Sequence, residues 1–495
     1  MNILLITADQ LRADALGCYG NPVCRTPALD ALAASGTVFD QAFTPCPISV
    51  PARASLTTGN YPHRATGMKE NGGSIRDGQY KVAEYFDLHG YRTYACGKLH
   101  YAPYAPPGQP RVVHGFDHWD SAESGRIISK FDPTAQLRGL EDYSDYLADV
   151  GWRGYSRAHG IGNNDVRPCP SPLPAEHHVD HWVADRTIQR LRQHTAEHHD
   201  QPFLIWCSFP KPHAPLDPPM PWAHMYDPRQ VPPPVGDESM LATRNPHLEF
   251  IRANCALGSL SPEARRVAKA YYYGLVSFQD AQVARILATL DELGVTDDTI
   301  ILYTADHGDL MGDFGVFFKS DFRRGSVSVP FIMAGPGVPC GQRLQTLVGL
   351  QDILPTLAAM TGHPLAHAVD GLDMRPVLRD PAAAVRQLYY AQCYDSPRQL
   401  AMVTDGRWKY CYSQMGAVEE LYNLQDDPHE LVNLAAEGGD HRQLSCWRQA
   451  LTGEAQRLGD VALIDAVSPT GLVQSPLDRW QLRNHPANGM GWRWY

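Results

Sequence analysis

No stretch of this 495-residue sequence approaches the roughly 18 consecutive apolar residues of a membrane-spanning helix. A helical membrane protein is therefore not expected. A cationic surplus is also missing, since 43 Lys and Arg face 54 Asp and Glu, for a formal net charge of -11. Nucleic-acid affinity rests on phosphate neutralisation by Lys and Arg, so no nucleic-acid partner is expected either. The deficit does not exclude a small anionic substrate, because a local cationic pocket or a metal overrides the global sign. The 11 cysteines are odd in number and form no CxxC pair. They read as reduced, mostly buried small hydrophobes rather than a disulfide framework. Internal repeats are absent. Asn2 to Ala8 lacks the basic leader of a secretory signal and runs directly into Asp9 and Gln10, so it reads as a buried strand. With Met1 as the native start the expectation is a cytoplasmic protein; with a leader removed, a periplasmic one.

What is present is ordinary globular material, 43% hydrophobic and 20% charged, able to bury a large core. Short, continuous apolar runs recur at Ile3 to Thr7, Tyr91 to Cys96, Phe203 to Ser208, Thr299 to Thr304 and Val329 to Ala334. Continuous rather than alternating apolar character predicts strands covered on both faces. Helical patterns lie between them at Pro27 to Ser35, Val82 to Leu88, Val179 to Glu197 and Pro262 to Leu293, the last stopped by Gly294. This alternation predicts an α/β layered domain with a large, mostly parallel central sheet between helices, over residues 1–384. From residue 385 to 495 the pattern changes. Gln387 to Gln392, Ala401 to Thr404 and Trp408 to Ser413 read as short antiparallel strands, followed by a helix near His441 to Leu458. They predict a smaller C-terminal α+β subdomain. Proline-rich stretches at 101–110, 168–174 and 210–234 are expected to shape a mouth over the site.

Ligands of open α/β sheets sit beyond the carboxyl ends of strands. Asp9 and Gln10 follow the first run, Lys98 to His100 the second, His213 the third, and Asp306 and His307 the fourth. Four separate strand ends thus carry metal-binding or cationic residue types. The most specific stretch is Ser49-Val-Pro-Ala-Arg53-Ala-Ser-Leu-Thr-Thr-Gly59. It places a hydroxyl four residues before an arginine where a helix can start, and helix N-termini favour anions. A plain serine cap with Pro51 in the first turn is the alternative.

Ser49 to Gly59 resembles the signature of the sulfatase family, in which Cys or Ser, any residue, Pro, a small residue and Arg precede a Leu-Thr-Gly stretch. Asn2 to Gly20 is similar to that family's opening strand and metal loop, Gly97-Lys-Leu-His100 to its GKxH element, and Lys211-Pro-His213 to its next element. Thr304-Ala-Asp-His-Gly308 resembles its second metal loop and Lys319 its active-site lysine. Asp405 to Tyr410, Glu420 to Leu424, Asp427-Pro428 and Asn433-Leu434 resemble its C-terminal part. The resemblance implies an alkaline-phosphatase-like fold and a sulfuric ester hydrolase acting on a carbohydrate, aryl or small alkyl sulfate. In the family, residue 49 is converted to formylglycine by a maturation enzyme. The aldehyde hydrates, one hydroxyl attacks sulfur, and the other expels sulfate. Ser49 is then a serine-type precursor, a substitute introduced for a cysteine, or an unmodified serine nucleophile.

The resemblance further implies that Asp9, Gln10, Asp306 and His307 bind one divalent cation beside Ser49. Calcium is favoured from the family, and the imidazole keeps manganese open. Gln10 and His307 depart from the commoner acidic pair and Asp-Asn loops. They resemble phosphonate monoester hydrolases and choline-sulfatase-like members instead, so phosphonate monoester or phosphodiester hydrolysis is the alternative activity. Those hydrolases tend to carry Tyr and Thr where Lys98 and His100 stand, which favours the sulfatase. An inactive relative binding sulfated ligands is the non-enzymatic alternative. Arg53, Lys98 and Lys319 are expected to hold sulfate oxygens and His100 to contact residue 49. His213 is expected to serve the leaving oxygen. Asn71 and Arg324 are expected to contact substrate. Arginines in the variable loops 101–111, 123–126, 215–229 and 323–324 suggest a second anionic group on it. The aromatic-rich tail, residues 468–495, is the candidate surface for a homo-oligomer.

Overall fold

The computed structural model describes residues 1–132, 134, 136–254, 260–436 and 441–477. The tail expected to mediate oligomerisation lies outside them from residue 478 onward. The central sheet comprises β1 (Asn2–Asp9), β2 (Thr37–Phe43), β3 (Arg92–Gly97), β4 (His118–Ser121), β5 (Phe203–Pro212), β6 (Thr299–Ala305), β7 (Phe331–Ala334) and β8 (Gln342–Gly349). Their spatial order is β4-β3-β5-β1-β6-β7-β2-β8. Neighbours pair in parallel except at β7, which is antiparallel to both β6 and β2. Every residue of β1, β5 and β6 is buried, as continuous apolar runs require of strands covered on both faces. Because β3, β5, β1 and β6 run in one direction, their carboxyl ends open on one edge.

The helices used below are α1 (Ser49–Thr58), α2 (Val179–Glu197), α3 (Pro262–Leu293) and α4 (His441–Leu458). Helix α2 packs on β3 and β5 and against α3. Gly294 caps α3 with a left-handed φ of 68°, which glycine adopts without a Cβ penalty. A second sheet, β9 (Tyr389–Cys393), β10 (Leu400–Thr404), β11 (Trp408–Ser413) and β12 (Val418–Asn423), is antiparallel throughout. One of its faces packs on Phe43, Ile48, Phe322, Val327 and Leu347 of the larger unit, and the other on Leu451, Ala455 and Leu458 of α4. The described cysteines are free thiols, most of them buried, with Cys340 and Cys446 exposed. Among the described residues no helix is long and apolar enough to cross a membrane.

Within the expected mouth at 210–234, residues 211–219 are buried, and Pro210, Lys211, His213, Ala214 and Asp217 line a cavity beside the site. The Lys211 ammonium draws this segment inward, donating to Pro215 O at 2.7 Å and His213 O at 3.3 Å and pairing with Asp217.

Asp180, in the first turn of α2, accepts from Gln279 Nε2 of α3 at 3.2 Å, while its Oδ1 has no hydrogen-bond partner. Burial pushes this carboxyl up to about 7. A carboxyl raised above its unfolded value stabilises the fold at low pH and loses that contribution as pH rises from about 4 to about 7. Asp180→Asn is therefore expected to lose less stability than the parent between pH 5 and pH 8, by on the order of 1–2 kcal/mol. Denaturant unfolding at the two pH values checks this.

Candidate active site

β1 ends in Asp9, and Gln10 turns away with a φ of 67°. β6 delivers Asp306 and His307 beside it, because Ala8 and Ala305 are register partners in the sheet. Asp306 Oδ1 accepts the backbone N–H groups of Gln10 at 3.0 Å and His307 at 2.9 Å, which locks the two loops together. Asp9, Asp306 and His307 each offer a ligand atom within 4.8 Å of the others, and all three are buried. Asp9 Oδ1 is buried with no hydrogen-bond partner. A carboxylate oxygen left so is costly unless something cationic satisfies it. His307 donates Nδ1–H to Gly308 O at 2.9 Å, which leaves Nε2 as a lone pair. Burial lowers that imidazole to about 4, keeping it neutral and ligand-competent. The donor set of two carboxylates and one neutral imidazole fits a divalent cation.

Residue 49 stands at the first turn of α1. Ile48, not Ser49, is the cap residue, so the plain serine-cap alternative does not hold. The Ser49 hydroxyl instead donates to His307 Nε2 at 2.9 Å, which brings it to the Asp9, Asp306 and His307 group. Asn71, though exposed, places its Oδ1 on the N–H of Val50 at 3.1 Å, directly beside Ser49.

Arg53, one helical turn beyond Ser49, is 1% exposed. Its Nε donates to Asp306 Oδ2 at 2.9 Å and its Nη1 to Lys98 O at 2.6 Å and Ser208 Oγ at 2.8 Å. Its Nη2 lies 3.5 Å from Asp9 Oδ2. The expectation was a group holding sulfate oxygens; the structure instead commits all three nitrogens to the carboxylates and the strand ends, because a fully buried guanidinium must satisfy its donors locally. Lys98, also fully buried, pairs with Asp9 Oδ2. Burial would push the Asp9 carboxyl up, but Lys98, His213, Arg53 and His307 hold it well below the usual carboxylate range. Lys319 donates to His213 Nε2 at 3.0 Å and to Gln10 Oε1. His213 in turn donates Nδ1–H to Ala214 O at 2.8 Å. Gln10, expected as a ligand, thus has its side-chain oxygen on Lys319, and its amide NH2 on Asp309.

His100 is 8% exposed, not a solvated loop residue. Glu123 fixes this segment: its Oε1 accepts the N–H groups of Leu99 at 2.7 Å and His100 at 2.8 Å, and its Oε2 the Tyr104 hydroxyl at 2.7 Å. Glu123 was expected as part of a substrate-recognising loop; it is fully buried and holds the Lys98–His100 backbone instead. Asp309 was not singled out from the sequence. It accepts from Met311 N at 2.7 Å and Phe318 N at 2.9 Å, which places Lys319, and burial pushes it up to about 6. Its signal was position, three residues beyond Asp306 in one loop. Glu123→Gln is expected to lower kcat about 10- to 100-fold with a smaller change in KM, because a displaced Lys98–His100 segment costs orientation more than binding. Steady-state kinetics on the matured enzyme check the split.

The remaining expected substrate contacts disperse. Arg324 is exposed, and its backbone N–H donates to Glu430 Oε2 at 3.1 Å. Arg323 is buried against Glu420, Arg111 pairs with Asp142, and Arg229 pairs with Asp227 at 2.7 Å. These ion pairs commit three of the loop arginines within the protein.

A sequence model of the sulfatase family matches residues 1–363. The chain belongs to the sulfatase family. A second model, for the C-terminal part of N-sulphoglucosamine sulphohydrolase, matches residues 312–453 of this sulfatase. An arylsulfatase of Clostridium perfringens is 30% identical, covering 88% of this chain and 90% of its own length. A choline-sulfatase of Rhizobium meliloti is 28% identical, covering 100% of this chain and 93% of its own. Among solved structures, a phosphonate monoester hydrolase of Agrobacterium radiobacter superposes with a TM-score of 0.77 at 25% identity, covering 96% of this sulfatase and 99% of that chain. The alkaline-phosphatase-like architecture expected from the sequence is thereby shown.

Proposed function

We propose that this protein hydrolyses an organic sulfate ester and releases inorganic sulfate, with residue 49 as nucleophile and one divalent cation at Asp9, Asp306 and His307. The observation that carries this is the 2.9 Å contact between the Ser49 hydroxyl and His307 Nε2, beside the unsatisfied Asp9 Oδ1. A cation there supplies Lewis-acid polarisation of an ester oxygen and favours a deprotonated oxygen on residue 49. Calcium is favoured from the family resemblance and suits the carboxylates; the imidazole keeps manganese as its competitor. Formylglycine at position 49, made by a maturation enzyme, supplies a nucleophile that regenerates without hydrolysis of a serine sulfate.

The chain's own groups take the other roles. Arg53 holds Asp306 and Asp9 in register. Lys98 and Lys319 neutralise the sulfuryl oxygens as charge builds. His213, with Nδ1–H fixed on Ala214 O, presents Nε2 toward the site and serves the leaving oxygen once it carries a proton there. His100 contacts residue 49, and Asn71 turns its amide NH2 to the substrate.

Phosphonate monoester hydrolysis is the second reading, favoured by the Agrobacterium radiobacter likeness. Sulfuryl and phosphoryl groups are both tetrahedral anions, so one pocket accepts both to some degree. The matured protein is expected to show a kcat/KM for 4-nitrophenyl sulfate at least about 100-fold above that for a phenylphosphonate monoester, a gap of ~3 kcal/mol in transition-state binding. The reverse order assigns the second reading. Turnover of neither by a protein shown by mass spectrometry to carry formylglycine assigns an inactive relative.

A further inference from the structure

Lys319 sits between two non-glycine residues with left-handed backbone, Phe318 at a φ of 69° and Ser320 at a φ of 77°. For a bulky aromatic residue this conformation is an outlier that persists only where the surroundings over-determine it. Upstream, the loop holds itself. Phe318 N–H donates to Asp309 Oδ1 at 2.9 Å, and Phe318 O accepts from Leu310 N–H at 2.6 Å. Downstream, Ser320 N–H donates to Pro47 O at 3.1 Å, two residues before Ser49. The residues that follow, 321–324, are gripped from outside the larger unit.

The grip comes from one face of the second sheet. Lys409 of β11 lies opposite Tyr422 of β12, and Cys411 opposite Glu420, so these four side chains share a face. Through Cys411 that face meets Phe322 and Val327, while Tyr410, Tyr412 and Leu421 pack on the α4 side. Lys409 Nζ donates to Phe322 O at 2.6 Å and pairs with Glu430, whose Oε2 accepts the Arg324 N–H at 3.1 Å. Glu420 Oε2 pairs with Arg323, and its Oε1 accepts the Asn245 N–H at 2.9 Å. Asn245 donates its side-chain amide to Asp321, which also accepts the Arg323 N–H at 2.7 Å. Lys409, Glu420 and Arg323 are each no more than 2% exposed. Burying such charges costs desolvation that apolar side chains of the same volume avoid. Their presence at this seam fits a demand for fixed geometry better than a demand for stability.

We propose that Lys409 and Glu420 are positioning residues for Lys319, so that the C-terminal subdomain sets where the Lys319 ammonium meets the sulfuryl oxygens. The inference rests on the role given to Lys319 above, not on which ester is cleaved. Both residues act through Phe322 and Arg323, three and four residues beyond Lys319, rather than on the reacting group. At the far end of this chain of contacts, Lys319 Nζ meets His213 Nε2 at 3.0 Å.

A double-mutant cycle separates positioning from mere support of the fold. In the matured enzyme Lys409→Met and Glu420→Gln are each expected to lower kcat for 4-nitrophenyl sulfate about tenfold, with KM within about threefold. In a Lys319→Ala background the same substitutions are expected to cost less than about twofold, because the group they place is gone. Thermal unfolding checks that each variant is folded, and Glu420→Gln carries the cycle if Lys409→Met is not. Calorimetry with inorganic sulfate on the Ser49 protein repeats the cycle without turnover. Each single variant is expected to weaken sulfate binding about threefold, and the difference to vanish in the Lys319→Ala background. The full loss recurring in Lys319→Ala, or parental rates and sulfate affinity in both folded variants, overturns the proposal. So does a Lys319→Ala protein that matches the parent in rate and in sulfate binding. If the matured enzyme cleaves the phosphonate monoester instead, the same cycle on that substrate leaves the proposal standing while the sulfatase reading falls.

Discussion

Asp306→Asn is expected to lower kcat/KM for sulfate esters by about 10^3-fold or more and to abolish stoichiometric metal binding. The size follows from three simultaneous losses. Asp306 is the proposed source of a ligand oxygen, the backbone clamp on Gln10 and His307, and the principal anion facing Arg53. Neutralising it leaves a buried guanidinium with Asp9 at 3.5 Å as its remaining carboxylate. Breaking a buried pair this way costs roughly 3–5 kcal/mol of stability, so thermal unfolding is read alongside activity. A variant that stays folded, loses metal and loses turnover supports the site; one that keeps both metal and turnover refutes it.

Ser49→Ala is expected to be comparably severe, at least about 10^3-fold in kcat, without comparable loss of stability. The hydroxyl's hydrogen bond is to His307, a single neutral contact worth about 1 kcal/mol, and no part of α1 depends on it as a cap. The contrast separates a chemical role from a structural one. Ser49→Cys, produced with a formylglycine-generating enzyme, is expected to retain sulfate-ester turnover, because the same aldehyde forms from cysteine. Mass spectrometry of the peptide spanning residue 49 and steady-state rates check both variants. An alanine variant as active as the parent would remove residue 49 from the chemistry.

Much of the fold was legible because the central strands are covered on both faces. β1, β5 and β6 therefore appear as unbroken apolar runs, and α2, α3, α4 and β11 as their complete ranges. Four strands were not legible for local reasons. β4 and β8 lie at the sheet edges, and β4 carries His118 and Asp120 within four residues. β2 holds Asp40 and Gln41 where its register with β8 shifts. In β12 the pair Val418 and Glu419 is only partly buried, so its apolar signal is short. The reversed direction of β7 leaves no trace in an apolar run.

The site was legible wherever a strand end fixes a residue, as at Asp9, Asp306 and His307. Direction of a side chain was not. Arg53 faces the carboxylates and Gln10 faces Lys319 because the surrounding charges, contributed by four distant segments, decide those contacts. Glu123 and Asp309 act on backbone N–H groups, a role that no residue type announces by itself. The arginines of the variable loops look alike in sequence; only their partners, Asp142, Asp227 and Glu420, distinguish an internal ion pair from a substrate contact.

Anomalous diffraction from crystals soaked in manganese tests the centre of this account most directly. One strong peak is predicted within about 2.0–2.6 Å of Asp9 Oδ1, an Asp306 oxygen and His307 Nε2, with the oxygen of residue 49 at or next to its coordination sphere. A peak elsewhere, or none at saturating metal in a catalytically active crystal, contradicts it.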